Sequence, residues 1–151
     1  MFCFWNNPKK QIMKKILIVC TGNSCRSQIA HGFMQHFGKE KLEVYSAGIE
    51  THGVNPRAIK TMSEVGIDLS KNTSNLVSEY DNITFDYILT VCEHAAENCP
   101  VFTGNAMLKL HHNFTDPSKL KGTETEIEAA FEATRLEIQN YCKAFVDTHL
   151  N

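Results

Sequence analysis

An unbroken apolar run, KKILIVC (Lys14–Cys20), leads through a short polar loop into a helical pattern, and this order restricts the fold most. A run that is apolar throughout is typical of a central strand in a parallel sheet. In SQIAHGFMQHFG (Ser27–Gly38), apolar residues fall on one helical face and a glycine ends the pattern. The start of the chain therefore predicts a strand–loop–helix unit.

The same alternation continues along the chain. LEVYSAG (Leu42–Gly48) predicts a second strand, and NPRAIKTMSEVG (Asn55–Gly66) predicts a helix capped by its asparagine, with proline in the first turn. FDYILTVC (Phe85–Cys92) predicts a third strand and AMLKL (Ala106–Leu110) a short fourth. The last element is a long helix that begins at a capping box formed by Thr123 and Glu126.

Strands that alternate with helices predict an α/β fold, here a four-stranded parallel sheet flanked by helices on both faces, of the flavodoxin-like three-layer type. Ligands of such sheets bind beyond the carboxyl ends of the strands. Cys20, Cys92 and the loop that carries Asp116 all follow predicted strands. We therefore expect these residues to share one edge of the sheet.

Length and composition exclude several classes of protein. The 151 residues suit one domain, which we place at residues 13–151 after an N-terminal appendage, Met1–Ile12. The net charge of −2 gives no basic surface for nucleic acid, and no apolar stretch approaches the ~20 residues of a membrane span. Six cysteines without a signal peptide indicate a reducing, cytoplasmic compartment, and we expect a monomer without a bound cofactor.

The loop CTGNSCRS (Cys20–Ser27) carries chemistry that a core does not need. Wrapped around a point, it would aim several backbone N–H groups inward, and the following helix adds its positive end. The same positive field would lower the pKa of Cys20, so the anion cradle also makes a nucleophile. The predicted oxyanion-binding residues are Cys20, Thr21, Gly22, Asn23, Ser24, Cys25, Arg26 and Ser27.

Individual roles follow from the residue types in this loop. Arg26 offers a planar fork for two oxygens of a tetrahedral oxyanion. Gly22 permits tight curvature and Asn23 tolerates unusual dihedral angles, while Ser27 could cap the helix and hydrogen-bond the thiolate. Cys25 is interpreted as a spectator. The alternative reading is an ordinary strand–turn–helix in which Cys20 is a small hydrophobic residue.

Four segments together resemble a known family. CTGNSCRSQIA, VYSAGIETHGVNPRAI, TVCEHAAENCP and FTDP occur in the order found in the thioredoxin-coupled arsenate reductases, a branch of the low-molecular-weight protein tyrosine phosphatase fold family. The resemblance implies that Cys20 is the nucleophile, Arg26 the oxyanion clamp and Asp116 the general acid. An Asp-Pro turn without a catalytic role is the alternative for Asp116.

The resemblance also implies a use for two further cysteines. Arsenate would bind Cys20, Cys92 would attack Cys20 and release arsenite, and Cys99 would attack Cys92, leaving a disulfide for thioredoxin. Arsenate is then the substrate, phosphate and sulfate are competing oxyanions, and thioredoxin is the electron donor. If Cys92 and Cys99 bracket a helix, that helix must unwind when they pair.

Three alternatives remain open at this stage. A phosphatase of the same fold would use the loop alone, but the aromatic residue that such phosphatases carry after Asp-Pro is here Ser118. A thiol-based redox or metal sensor would need no general acid. A four-cysteine zinc site is disfavoured because the spacings within the pairs are looser than usual, and we assign no metal site.

The remaining candidate side chains are those of a possible cation site, one further cysteine and four histidines. Relatives in this branch often bind a monovalent cation through a loop asparagine, a strand serine and two carboxylates; Asn23 and Ser46 are present, but His31 and Asn75 occupy the carboxylate positions. Cys142 is expected in the core. We expect solvent-facing or supporting roles for His94, His111 and His112. We assign no chemistry to His52.

Overall fold

The computed structural model describes residues 12–98 and 108–151. Strands alternate with α-helices, as the sequence predicts. In chain order the elements are β1 (Lys14–Cys20), α1 (Arg26–Gly38), β2 (Leu42–Gly48), α2 (Pro56–Ser63), β3 (Tyr87–Thr90), α3 (Glu93–Asn98), β4 (Leu108–His111) and α4 (Glu124–His149). Short 3₁₀ turns lie at Lys39–Lys41, Val77–Tyr80 and Pro117–Lys119.

The strands form one parallel sheet in the order β2-β1-β3-β4, which confirms the predicted four-stranded α/β fold. Cys20 lies opposite Gly48 in the register of β1 and β2, and Val19 lies opposite Thr90 of β3. The chain leaves β1 in one direction and later returns to its other side, so the order reverses between β1 and β3. A ligand crevice is expected where the order reverses, beyond the carboxyl ends of these strands.

Both faces of the sheet are covered. The side chains of Ile16–Val19 are fully buried, as a strand in the middle of a covered sheet requires. On β2, Ser46 hydrogen-bonds His31 of α1. The ring of the neighbouring Tyr45 packs against that of Tyr80, with 5.2 Å between the ring centroids. Because side chains alternate along a strand, these contacts lie on opposite faces. α4 packs against α1.

The structure shortens two predicted elements and confirms two predicted caps. The second helix was expected to run to just before Gly66, but α2 ends at Ser63, because the Gly66 N–H bonds the Ser63 carbonyl in a turn. The third strand was expected to span Phe85–Cys92, but β3 covers only Tyr87–Thr90. Cys92 has already left the sheet, because its carbonyl accepts the α-helical hydrogen bond from the Ala96 N–H. The Asn55 side chain caps α2, and the reciprocal capping box of α4 is present.

Some residues of the predicted elements and site lie outside the described part of the chain. Residues 106 and 107 of the predicted fourth strand lie outside the described residues, and β4 is described from Leu108. Cys99 and the appendage, apart from Ile12, also lie outside them. Of the helices in the described ranges, none is both long and apolar enough to cross a bilayer.

Candidate active site

Three of the predicted site residues meet beyond the carboxyl ends of the strands. Cys20 is the last residue of β1, Cys92 follows β3, and Asp116 follows β4. Cys20 and Asp116 line one pocket, and Cys92 hydrogen-bonds Cys20. The expectation that these residues share an edge is therefore met by the described geometry, and the edge coincides with the reversal of strand order.

The carbonyl groups of the Cys20–Ser24 loop all point away from its centre, because each accepts a hydrogen bond from outside the loop. A peptide plane that turns its carbonyl outward turns the N–H of the next residue inward. The loop therefore presents inward N–H groups to an anion. The pairs are Cys20 with Ile49 N–H (3.3 Å), Thr21 with Glu50 N–H (2.8 Å), Gly22 with His52 N–H (3.0 Å), Asn23 with Ser74 Oγ (2.7 Å) and Gln28 Nε2 (3.1 Å), and Ser24 with Asn55 N–H (2.9 Å).

Asn23 fixes the sharpest bend of the loop. Its φ of +47° lies in the left-handed region, which asparagine tolerates better than most residues. The Asn23 side chain is fully buried; its Nδ2 donates to Ser27 Oγ at 2.9 Å, and its Oδ1 accepts from the Asn75 N–H at 2.9 Å. The bend is thus held by contacts from both sides.

Ser27 does not cap α1, contrary to one sequence expectation. The helix begins at Arg26, and Cys25 occupies the cap position without a side-chain hydrogen bond. Ser27 is instead inside the first turn and fully buried, where its hydroxyl and its N–H both donate to the Cys20 sulfur. The expected hydrogen bond between Ser27 and the thiolate is present, and because the hydroxyl points into the loop it cannot cap the helix.

The surroundings of Cys20 favour its thiolate. Its pKa is held well below the usual range, chiefly by the hydrogen bond that the Cys92 thiol donates. Burial opposes this effect, while Ser27 and the Asn23 N–H add to it. Cys20 therefore combines a buried position with a charge that the loop stabilises, which is the environment of a reactive cysteine.

Cys92 is the opposite member of this pair. The bond to Cys20 and burial raise the pKa of Cys92, so it remains a thiol beside the Cys20 thiolate. Its sulfur lies 3.4 Å from Thr21 Oγ1 and 3.4 Å from the Ala95 N–H, which donates to it. With its own proton directed at Cys20, Cys92 accepts from both groups, so two donors are already in place for a Cys92 thiolate.

The other two described cysteines lack such support. Burial is the main cause that raises the pKa of Cys25 to about 12, and burial also raises the pKa of Cys142. Cys142 is fully buried in α4, as the sequence predicts. All four described cysteines are free thiols, and within the described ranges no three His, Cys, Asp or Glu residues form a group that could hold a metal ion.

Arg26 connects the loop to the segment that carries Asp116. Its Nη1 donates to the Phe114 carbonyl at 2.9 Å, and its Nη2 lies 3.5 Å from Asp116 Oδ2. The other Asp116 oxygen accepts from the Ser118 N–H at 3.0 Å and from the Ser118 hydroxyl at 2.6 Å. One carboxylate oxygen is thus fixed by its own turn, while the second faces the guanidinium.

The loop opens into a pocket of about 210 Å³. Besides loop residues and Asp116, three side chains that were not predicted to belong to the site line it. Lys119 adds a second cation, and Ser118 shows that no aromatic ring follows the Asp-Pro pair. The third is His52.

His52 was assigned no chemistry from the sequence, yet it forms one wall of this pocket. Its Nε2 lies 2.7 Å from Glu50 Oε2, and a Cβ on Gly22 would come within 2.2 Å of its Nδ1. A side chain at position 22 would therefore displace this ring from its place in the wall. The HGVNP segment that contains His52 is visible in the sequence, but its proximity depends on the pairing of residues 49–52 with the loop.

The four positions compared with a monovalent-cation site contact each other in two pairs, His31 with Ser46 and Asn23 with Asn75. Ser46 Oγ lies 2.7 Å from His31 Nδ1, and burial lowers the pKa of His31 to about 4. The Asn75 side chain accepts from Thr73 and donates to Glu79. The site therefore contains a neutral imidazole and an engaged amide at the two carboxylate positions.

Comparison with known proteins agrees with this geometry. A sequence model for the family described as low molecular weight phosphotyrosine protein phosphatase matches residues 15–151. An arsenate reductase of Halalkalibacterium halodurans is 44% identical over 135 residues, covering 89% of this chain and 96% of the relative. Solved structures of an arsenate reductase in the phosphate-binding state and of one in the oxidized state give TM-scores of 0.74 and 0.77, at 29% and 28% identity, each covering 90% of this chain and 98% of the other.

Proposed function

This chain belongs to the low molecular weight phosphotyrosine protein phosphatase family, and we propose that it reduces arsenate to arsenite with thioredoxin as the electron donor. The observation that carries the proposal is the contact between two thiols, in which Cys92 hydrogen-bonds the Cys20 thiolate inside an anion-binding loop. A phosphatase needs one nucleophile, whereas reduction by two electrons needs a second thiol within reach of the first. The arsenate reductases among its relatives support the same reading.

In the first step, the Cys20 thiolate attacks the arsenic atom of arsenate. A sulfur–arsenic bond forms and one arsenic–oxygen bond breaks. The inward N–H groups and Arg26 neutralise the remaining oxygens. Asp116 gives a proton to the departing oxygen, which leaves as water. The Asp116 oxygen that contacts Arg26 belongs to a side chain that lines the same pocket as Cys20, as this role requires.

In the second step, Cys92 attacks the sulfur of Cys20. A Cys20–Cys92 disulfide forms, the electron pair of the sulfur–arsenic bond passes to arsenic, and arsenic(V) leaves as arsenite. Once Cys20 is bound to arsenic it no longer accepts the proton of Cys92, so the main cause that raises the Cys92 pKa disappears. The Thr21 hydroxyl and the Ala95 N–H then stabilise the Cys92 thiolate.

In the third step, Cys99 attacks Cys92, which frees Cys20 and leaves a Cys92–Cys99 disulfide for thioredoxin. Cys99 lies outside the described residues, so this step rests on the family resemblance. A cycle that restores thiols in this way belongs in a reducing compartment, and we place the protein in the cytoplasm. No bound cofactor takes part.

The test is NADPH consumption by the protein with thioredoxin and thioredoxin reductase, with and without arsenate. We expect turnover that requires arsenate and disappears in Cys20→Ser and in Cys92→Ala. Hydrolysis of an aryl phosphate without arsenate-dependent NADPH consumption would favour a phosphatase, the second candidate, which the oxyanion loop alone would support. A thiol sensor would give neither activity, and the oxidation of its thiols would be unchanged by Asp116→Asn.

A further inference from the structure

The His111 ring hydrogen-bonds two residues that flank Cys92 in the sequence. Its Nδ1 lies 2.7 Å from Thr90 Oγ1, two residues before Cys92, and its Nε2 lies 3.2 Å from Glu93 Oε1, one residue after it. His111 belongs to β4, Thr90 ends β3 and Glu93 begins α3. One side chain thus joins three elements around this cysteine.

The chemistry of the partners fixes the direction of these bonds. The Glu93 carboxylate can only accept, so Nε2 of His111 carries the proton it donates. In the neutral ring Nδ1 is then an acceptor, and the Thr90 hydroxyl donates to it at 2.7 Å in preference to the Leu110 carbonyl at 3.5 Å. Both nitrogens of the ring are therefore engaged.

The backbone between the two contacts is also held by hydrogen bonds, on the helix side by the Ala96 N–H, which donates to the Cys92 carbonyl at 3.1 Å. The Val91 N–H donates to the Val19 carbonyl at 2.9 Å, and the Val91 carbonyl accepts from the Phe114 N–H at 3.2 Å. Cys92 is the point where the chain leaves the sheet, and its sulfur is directed at Thr21 and Cys20. The contact of His111 with Glu93 adds a restraint immediately after that point.

We propose that His111 is a positioning residue for Cys92: with Glu93 it clamps the first turn of α3 against β4, which keeps the Cys92 sulfur in line with Cys20. The inference rests on the proposed function, because Cys92 must reach Cys20 in the second step. The clamp has no part in the first step, which uses Cys20, Arg26 and Asp116. Its loss should therefore slow disulfide formation, while chemistry that needs only the loop should be affected only through weaker stabilisation of the Cys20 thiolate.

Glu93 allows a matched pair of variants. Glu93→Gln keeps an oxygen that can accept from His111, whereas Glu93→Ala removes it. The Glu93 side chain is 65% exposed and that of His111 is 36% exposed. Exposed pairs of this kind are weak, so we expect Glu93→Ala to slow Cys20–Cys92 disulfide formation about threefold to fivefold. His111→Phe, which loses both contacts, should slow it about tenfold.

The measurement is a single turnover with arsenate and no thioredoxin, quenched with acid and mapped by mass spectrometry, alongside hydrolysis of p-nitrophenyl phosphate. We expect Glu93→Ala to be slower than Glu93→Gln in disulfide formation. Phosphate ester hydrolysis should be equal in the two variants at a pH above the alkylation midpoint of Cys20, where both carry the thiolate. Equal disulfide rates would overturn the clamp. A parallel fall of both reactions would also overturn it, since that indicates a general structural effect.

A second measurement separates the clamp from the proposed function. If the wild-type protein forms no arsenate-dependent disulfide, the proposed function fails, and the clamp is then judged by alkylation of Cys92 with iodoacetamide at alkaline pH. A clamped thiol should react more slowly in Glu93→Gln than in Glu93→Ala. Equal alkylation rates at Cys92 would overturn the clamp independently of any activity.

Discussion

The Cys92 thiol donates a hydrogen bond to the Cys20 thiolate, and this one bond moves the two pKa values in opposite directions. It stabilises the charge on the nucleophile and at the same time keeps the second cysteine protonated. The pair is therefore prepared for two successive attacks, because the second thiol is released only when the first has reacted.

Removing the donor should make Cys20 less acidic. We expect Cys92→Ala to move the pH midpoint of Cys20 alkylation by iodoacetamide upward, since the largest cause of its lowered pKa is lost. Burial then opposes the remaining hydrogen bonds from Ser27 and the Asn23 N–H, so the midpoint should move towards that of an ordinary cysteine. Cys142→Ala is the control, as its sulfur contacts the Ala30 carbonyl and not Cys20. An unchanged midpoint in Cys92→Ala would contradict the donor role.

Asp116→Asn should slow arsenate reduction while leaving the fold intact. The asparagine oxygen can still accept from Ser118, but its NH2 group cannot accept from Arg26 and cannot supply a proton to the departing oxygen. Loss of a general acid costs about 10²- to 10⁴-fold in rate. The rate is followed by arsenate-dependent NADPH consumption, with Ser118→Ala as a control that keeps the carboxylate. Full activity of the asparagine variant would show that the proton comes from another group.

Local patterns were sufficient to predict most of the fold. β1 and β2 match the predicted runs residue for residue, because apolar and β-branched composition marks a buried strand throughout its length. Both caps were also readable, since a cap depends on residues three or fewer positions apart. The third strand was predicted too long because Phe85 and Cys92 are buried without belonging to it, and composition reports burial rather than pairing.

The site was only partly predictable for a related reason. The loop motif indicated Cys20 and Arg26, and the order of strands placed Cys92 and Asp116 at the same edge, as the structure shows. The roles of Cys92 and Asp116 followed from the family resemblance. His52 was missed because its place in the wall follows from long-range pairing of residues 49–52 with the loop. The Ser27 cap was wrong because a serine in the first turn can point either to the helix end or to a neighbouring sulfur, and only tertiary structure decides between them.

The free energy of unfolding should fall as the pH is lowered from 6.5 to 4, because of His31. Burial lowers its pKa from 6.5 to about 4, so in this window the unfolded chain binds a proton that the folded protein does not. The loss approaches about 3 kcal/mol at the acid end. Urea unfolding of His31→Gln, which removes the titrating group near Ser46, should depend less on pH than the wild type over this range. The same pH dependence in both proteins would contradict the assignment.

Activity should not respond to potassium. The positions that the family resemblance assigns to carboxylate ligands here hold His31, which is neutral, and Asn75, whose amide is engaged by Thr73 and Glu79. Hard monovalent cations prefer oxygen ligands with negative charge, which these positions do not provide. We expect unchanged arsenate reduction when choline replaces potassium at constant ionic strength, and a potassium response in His31→Glu. Saturable activation of the wild type would show that a site exists.

The last prediction concerns α3, which fills the interval between Cys92 and Cys99 as the sequence predicts. Seven residues of helix advance about 10 Å, whereas a disulfide needs Cα atoms within about 7 Å. A Cys92–Cys99 bond therefore requires α3 to unwind, which would also expose the bond to thioredoxin.

Amide hydrogen exchange across Glu93–Asn98 should be faster in the oxidised than in the reduced protein. Cys99→Ala should release one arsenite per chain and stop with a Cys20–Cys92 disulfide, its α3 still protected. Equal exchange in the reduced and oxidised wild type, or repeated turnover of Cys99→Ala with thioredoxin, would refute this mechanism, because the electrons would then leave Cys92 without any rearrangement of the helix.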